Sequence, residues 1–280
     1  MAGLRVYWLA FLAVFLAGCG VAETAVFTPP TPIITDTPTI PAPVWSTATP
    51  QPPDSGWHSL RPGLEQRTIS LYDNQEIVVE SLTLLRLEPD QFQFRLGYRP
   101  GQPQSLPDWQ AETEALLVVN GGYFTEDNMA TGLLVLDGVA SGIGYGDFAG
   151  MFTVTDSGPE LRWLRQRPYS PQESILYAFQ SFPLLVRPDG QPAFPQEDGV
   201  RARRTVMGQD ENGRILFLIA PYGHFTLYQL SQWLAQSDLN LQIALNLDGG
   251  KSTGFFLAQP EMYIPTFVLL PLVITIHPHP

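Results

Sequence analysis

Short apolar runs of strand length, separated by explicit turns and outnumbering helix signals, predict an α+β fold. The expectation is a mixed or antiparallel β-sheet core flanked by a few helices in a single domain. Residues 76–88 are rich in Val, Leu and Thr, and residues 92–98 alternate apolar with polar. Shorter apolar runs follow at 116–119, 133–136, 214–220, 241–247 and 272–276. Glu88-Pro89-Asp90, Asp137-Gly138, Asp189-Gly190 and Asn212-Gly213 supply the turns.

In chain order, Arg5 gives a positive start and residues 6–16 an almost unbroken apolar run. That run is short for a membrane span and right for an export signal. It ends in Leu16-Ala17-Gly18-Cys19, which resembles a bacterial lipobox, so residues 1–18 read as a lipoprotein signal and Cys19 as the lipidated residue. An ordinary secretory signal with an incidental cysteine is the other reading. Cys19 is the only cysteine, so no disulfide forms within one chain. Residues 28–53 hold nine of the 27 prolines and seven threonines, a composition that builds no core and favours extended chain. Residues 19–56 therefore read as a disordered tether, with order beginning near Trp57. Roughly 220 residues remain, enough for one well-cored domain.

Within that domain, Thr226-Leu227-Tyr228-Gln229 has the form of a helix capping box, and Leu227, Leu230 and Leu234 then share a face. A weaker helix is expected over 107–115. Residues 267–276, interrupted by Pro271, read as a final strand rather than a membrane span.

Charge narrows the function. Loss of residues 1–18 removes one of 15 basic residues, leaving 14 against 27 acidic. Such a surface repels nucleic acid and anionic lipid, so no nucleic-acid partner is expected and the membrane is reached through the lipid alone. An anionic ligand then needs a local positive pocket. Arg201, Arg203 and Arg204 fall within four residues and form the strongest basic patch, with Arg204 placed at the start of an apolar strand.

Asp248-Gly249-Gly250-Lys251-Ser252-Thr253 contains the tail of a nucleotide-binding P-loop, and Lys251 is the only lysine. The P-loop reading fails, because the required first glycine falls on Leu245 and residues 254–258 look like a strand rather than a helix. A Gly-Gly turn after a buried strand still suits an anion, with Ser252 and Thr253 adding hydroxyls. Asn120-Gly121-Gly122-Tyr123-Phe124 repeats the logic of buried strand, short polar side chain, Gly-Gly pair and aromatics. An ordinary tight turn is the plain alternative at each. His224 precedes the capped helix and is the other candidate acid or base. Asp137 and Asp147 sit in Gly-rich turns, and His277 and His279 form a poor metal pair near the C-terminus. No His, Cys and carboxylate cluster has ligand spacing, and neither metal nor cofactor is expected.

Taken in order, Asn120 to Phe124, then Arg204-Thr205-Val206-Met207-Gly208, then Asp248 to Thr253 resemble the signature of the phosphodiester glycosidase family. Phe182-Pro183-Leu184-Leu185-Val186 is similar to the family's Pro-x-Leu-Val strand, and residues 223–234 to its helix before the last motif. The similarity covers roughly residues 116–276, so residues 57–280 are assigned to a domain of this type. Lys251 departs from the pattern, which often has a small residue there.

The resemblance implies hydrolysis of a sugar-1-phosphodiester, C1–O cleavage giving free sugar and phosphomonoester. Phosphate leaves well, so its electrostatic capture is expected to dominate. Arg204, the Gly249-Gly250 backbone, Ser252 and Lys251 are expected to capture it, with Asp248 beside C1 as base or nucleophile. Asn120 is expected to bind sugar hydroxyls or orient Asp248, and Tyr123 or Phe124 to stack on the sugar. Gly121, Gly122, Thr205 and Thr253 complete the expected substrate-binding set. A non-catalytic lipoprotein binding envelope or extracellular glycans is the rival, and hydrolysis of a non-phosphorylated glycoside a third reading.

Overall fold

The computed structural model describes residues 53–279. The signal segment, Cys19 and all of the tether before Pro53 lie outside the described residues.

Three sheets form the body. The largest orders seven strands as His58–Arg61, Leu64–Tyr72, Val78–Leu87, Ile215–Ala220, Arg204–Asp210, Leu241–Asn246 and Leu184–Val186. A second orders five as Val139–Ser141, Leu134–Leu136, Tyr177–Ser181, Gly150–Thr155 and Gly158–Trp163. The third orders Glu261–Ile264, Phe255–Ala258, Leu117–Asn120, Leu272–Pro278 and Phe92–Tyr98. All neighbouring pairs are antiparallel. The described residues contain two α-helices, α1 (Leu106–Thr113) and α2 (Leu227–Gln236). The molecule is thus mainly β, and α+β fits it only loosely.

Alternation along the strands explains the layering. In Ile215–Ala220, Ile215, Phe217 and Ile219 enter the central core while Leu216, Leu218 and Ala220 enter a second. Val78–Leu87 does the same with Leu85 and Leu87 against Leu82 and Leu84. A strand covered on both faces reads as one continuous apolar run, which is why these two were visible in sequence. The central core takes residues from all three sheets, among them Phe217, Phe179 and Phe255.

Each helix seals an outer face. Leu230 and Leu234 of α2 pack with Leu185 and Val206 on the seven-stranded sheet and with Phe225 of the loop before the helix. Its capping box is formed: the Gln229 N–H donates to Thr226 Oγ1 at 3.2 Å and the Thr226 N–H to Gln229 Oε1 at 3.3 Å. Trp109 of α1 packs with Val118 and Val273 on the third sheet and donates from Nε1 to the Leu270 carbonyl at 2.9 Å.

Candidate active site

The three glycine-flanked motifs meet at one corner between the seven-stranded and third sheets. Asn120 ends the strand Leu117–Asn120 and is fully buried. Its Nδ2 donates to the Asp248 carbonyl at 2.8 Å and, more weakly, to the Gly121 carbonyl at 3.4 Å. Its Oδ1 accepts from the Thr205 hydroxyl at 2.7 Å and the Gly254 N–H at 3.2 Å. The Asp248 N–H in turn donates to the Gly121 carbonyl at 3.2 Å. One amide thereby ties together segments 85 and 128 residues away along the chain.

This saturates Asn120, whose amide has two donor hydrogens and two acceptor lone pairs. Of the two roles expected for it, orienting Asp248 fits, and binding sugar hydroxyls does not. Thr205 and Thr253 are likewise fully buried, and Thr205 spends its hydroxyl proton on Asn120. For Thr205 the hydroxyl is thereby committed inside the protein. Thr253 Oγ1 is buried with no partner.

The glycines permit close approach. A Cβ on Gly121 would stand 3.0 Å from the Leu272 carbonyl oxygen, one on Gly122 3.1 Å from that of Gln180, and one on Gly249 2.9 Å from that of Arg203. The expected Gly249-Gly250 anion nest is not free here. The Gly249 N–H donates to Asp248 Oδ1 at 2.9 Å and the Gly250 N–H to the Arg203 carbonyl at 2.8 Å. These two N–H groups are therefore spent on the turn itself.

Asp248 is partly buried just beyond the end of the Leu241–Asn246 strand. Burial lifts its carboxyl from 3.8 to about 6, opposed by hydrogen bonds from the Ser252 side chain and the Gly249 amide. Arg204 is 8% exposed and makes no ion pair among the described residues. Its Nη2 donates to the Val200 carbonyl at 2.7 Å and its Nε to that of Phe225 at 3.4 Å. Burial lowers its affinity for its proton, while the fields of Tyr123 and Asp198 act the other way.

Tyr123 joins the two charges. Burial raises its hydroxyl well above the usual phenol range; the Asp248 charge raises it further and the Arg204 charge pulls it down. Its oxygen accepts from Asn246 Nδ2 at 2.6 Å. Phe182 packs on its ring at 4.8 Å between centroids, Tyr145 on Phe182 at 5.0 Å, and Phe148 on Phe182 at 5.8 Å. This aromatic wall reaches the surface at half-exposed Phe148. Phe124 packs instead beside Leu106, Trp109 and Val118. It is partly buried there and lies apart from the aromatic wall.

Phe182 was read in the sequence only as part of a strand, and Tyr145 and Asn246 were missed. Asn246 stands two positions before Asp248, so strand alternation puts both on one face, and a polar residue inside Ile243-Ala244-Leu245-Asn246-Leu247 was the available signal. Its Oδ1 is buried without a partner.

The basic patch divides. Arg201 bonds the His224 carbonyl and lies 3.4 Å from its Nδ1, while Arg203 bonds the Pro265 carbonyl at 2.9 Å. Buried Glu80 holds the same loop, accepting from the Tyr222 N–H at 3.0 Å and the His224 N–H at 3.1 Å. His224 is thus tied into the scaffold. Lys251 is exposed on the Gly250–Ser252 turn. Asp137 and Asp147 stay in turns, bonded to Tyr177 and Arg165. A cavity of about 620 Å³ lined by Phe92, Arg95, Asp156 and Tyr177 adjoins the other end of the third sheet, where Gln93 pairs with His277, and contains no motif residue.

Comparison with known proteins bears on this corner. The sequence model of the family described as phosphodiester glycosidase matches residues 113–268, more than half of the chain, and spans all three motifs. Among solved structures, the chain is similar to the catalytic domain of zebrafish N-acetylglucosamine-1-phosphodiester alpha-N-acetylglucosaminidase, auto-inhibited by its pro-peptide. The TM-score is 0.62 at 20% identity, covering 79% of this chain and 86% of that one. A hypothetical protein from Synechocystis gives 0.57 at 14% identity, covering 82% of this chain and 64% of that one. At these identities the likeness is one of fold. No curated protein matches the chain significantly by sequence.

Proposed function

Because this chain belongs to the phosphodiester glycosidase family, we propose that it hydrolyses a sugar-1-phosphodiester, releasing free sugar and a phosphomonoester. One observation carries the reading. A carboxylate, Asp248, and a buried guanidinium with no carboxylate partner among the described residues, Arg204, are brought to one corner by the Asn120 amide, which bonds the Asp248 carbonyl and the hydroxyl of Thr205 beside Arg204.

Arg204 binds the phosphate, helped by Ser252 and at longer range by Lys251. The C1–O bond breaks with its electron pair passing to the phosphate oxygen, water adds to C1, and Asp248 takes the water proton or first bonds C1 itself. The raised Tyr123 phenol keeps its proton, and with its oxygen accepting from Asn246 that proton is free to donate to the sugar or phosphate. The aromatic wall of Tyr123, Phe182, Tyr145 and Phe148 offers ring faces for the sugar. Asn120 and Thr205 hold the corner together.

The export-like leader and Cys19 support a chain anchored by lipid on the outer side of a bacterial membrane, with the Pro/Thr-rich segment as its tether. Release of free sugar from a panel of sugar-1-phosphodiesters tests the function. Asp248→Asn and Arg204→Ala are each expected to lower kcat/KM by about a thousandfold or more with the fold intact. Full activity in both variants rejects these roles, and turnover of neutral glycosides alone rejects the substrate class.

A further inference from the structure

A groove lies against the same turn on its other side. It encloses about 420 Å³ and is lined by Ser81, Thr83, Arg203, Tyr222, Tyr263 and Phe267, among others. Three of these rings are conspicuously open to solvent: Tyr222 at 64%, Tyr263 at 43% and Phe267 at 68% exposure. Large aromatic faces exposed together around one depression mark a recognition surface rather than scattered apolar residues.

Arg203 supplies the charge. Its guanidinium stacks 4.3 Å from the Phe267 ring centre and donates from Nη2 to the Pro265 carbonyl, while Nε and Nη1 are closed off from solvent with no acceptor. It makes no ion pair among the described residues. Glu80 is the carboxylate in its field, but the amides of Ser81, Tyr222 and His224 already occupy the Glu80 oxygens. Of the twelve other described arginines, eight pair with a carboxylate. An arginine left without one, and lining a groove, is the place where an anion is welcome.

Position decides what that anion belongs to. The Arg203 carbonyl accepts from the Gly250 N–H at 2.8 Å, and the Phe267 N–H donates to the Lys251 carbonyl at 2.7 Å. The 248–252 turn is therefore a thin wall with Asp248 in it and the groove against it. The groove thus shares this turn with a phosphodiester held at Asp248 and Arg204.

We propose that this groove is the aglycone subsite and takes a carboxylated saccharide of the uronic-acid class, stacked on the tyrosines with its carboxylate on Arg203. The inference rests on the hydrolase reading for the word aglycone, but the groove can be tested without turnover. Isothermal titration calorimetry on the full chain compares a uronic-acid disaccharide with its neutral counterpart. The wild type is expected to bind the acidic sugar, and Arg203→Met to lower the acidic-over-neutral preference by about ten-fold. Tyr222→Ala, at an exposed position that leaves folding undisturbed, is expected to weaken both sugars about three-fold or more through lost stacking. No saturable binding by the wild type, or an equal preference in Arg203→Met, overturns the proposal.

A kinetic arm separates the two readings. With methyl and uronic-acid aglycones on the same sugar-1-phosphate, Arg203→Met is expected to lower the ratio of their kcat/KM values about ten-fold, through KM. An unchanged ratio overturns the subsite. Binding without turnover of either substrate overturns the hydrolase reading and the aglycone role with it, leaving a saccharide site.

Discussion

Arg162 and Arg204 are both nearly buried, 3% and 8% exposed, yet they live in opposite surroundings. Arg162 is neutralised, with Nη1 on Glu173 at 2.6 Å and Nη2 on Glu160 at 3.2 Å. Arg67 repeats the arrangement with Asp54 and Asp238, and that pairing holds the Asp54 carboxyl down at about 2. Arg204 meets only backbone carbonyl oxygens. In a chain with nearly twice as many acidic as basic residues, carboxylates are the easy solution for a buried cation. Withholding them leaves a positive charge whose best partner is a ligand.

The largest test of that contrast exchanges the two outcomes. Arg204→Met is expected to cost about a thousandfold in kcat/KM while stability moves by less than about 1 kcal/mol, since no carboxylate is stranded. Arg162→Met should do the reverse. It strands Glu160 and Glu173 at a cost of about 2 kcal/mol, reduced because both are partly exposed and Arg167 still reaches them, with activity retained. Urea denaturation and initial rates on both variants decide it; similar profiles would dissolve the distinction.

Asp248 sharpens the same contrast from the acidic side. Its folded value is raised from 3.8 to about 6, so its contribution to stability is full below about 4 and is lost as pH rises through 6. At pH 7 the ionised group then costs the native state up to about 3 kcal/mol. Asp248→Asn is expected to be more stable than wild type at pH 7 and no different at pH 4, while kcat/KM of the wild type rises with pH through about 6. A flat stability difference between those pH values would mean that burial does not act on this carboxyl.

Smaller effects come from the supports. Thr205→Val removes one bond to Asn120 and is expected to cost about 1–2 kcal/mol by thermal denaturation. Lys251→Ala, at an exposed position, is expected to lower kcat/KM only a few-fold, with the difference fading in high salt. A loss comparable with that of Arg204→Met would make Lys251 a direct phosphate ligand.

How much of this was legible varies with the physics of each element. The doubly buried strands 78–87 and 215–220, the capped helix α2 and the strand 255–258 after the Gly-Gly turn each left a local pattern in the chain. The strands Tyr177–Ser181 and Gly158–Trp163 did not, because their short, polar-interrupted segments are stabilised by partners in other segments. At the site, the three motifs expected to meet do lie together, but the surroundings of single residues were not legible. Thr205 and Thr253 looked like ligands and are fully buried, Phe182 was read only as part of a strand, and Asn246 and Tyr145 went unseen.

By itself the sequence determined the residue types of the three motifs, their order, and a chain so acidic that an arginine without a carboxylate stands out. It did so because glycine turns, capping boxes and apolar runs are local, and charge simply adds. Which arginine goes unpaired, which amide is saturated and which aromatic turns inward were decided only in the tertiary structure. Those are questions of who stands beside whom across a hundred residues, and packing answers them.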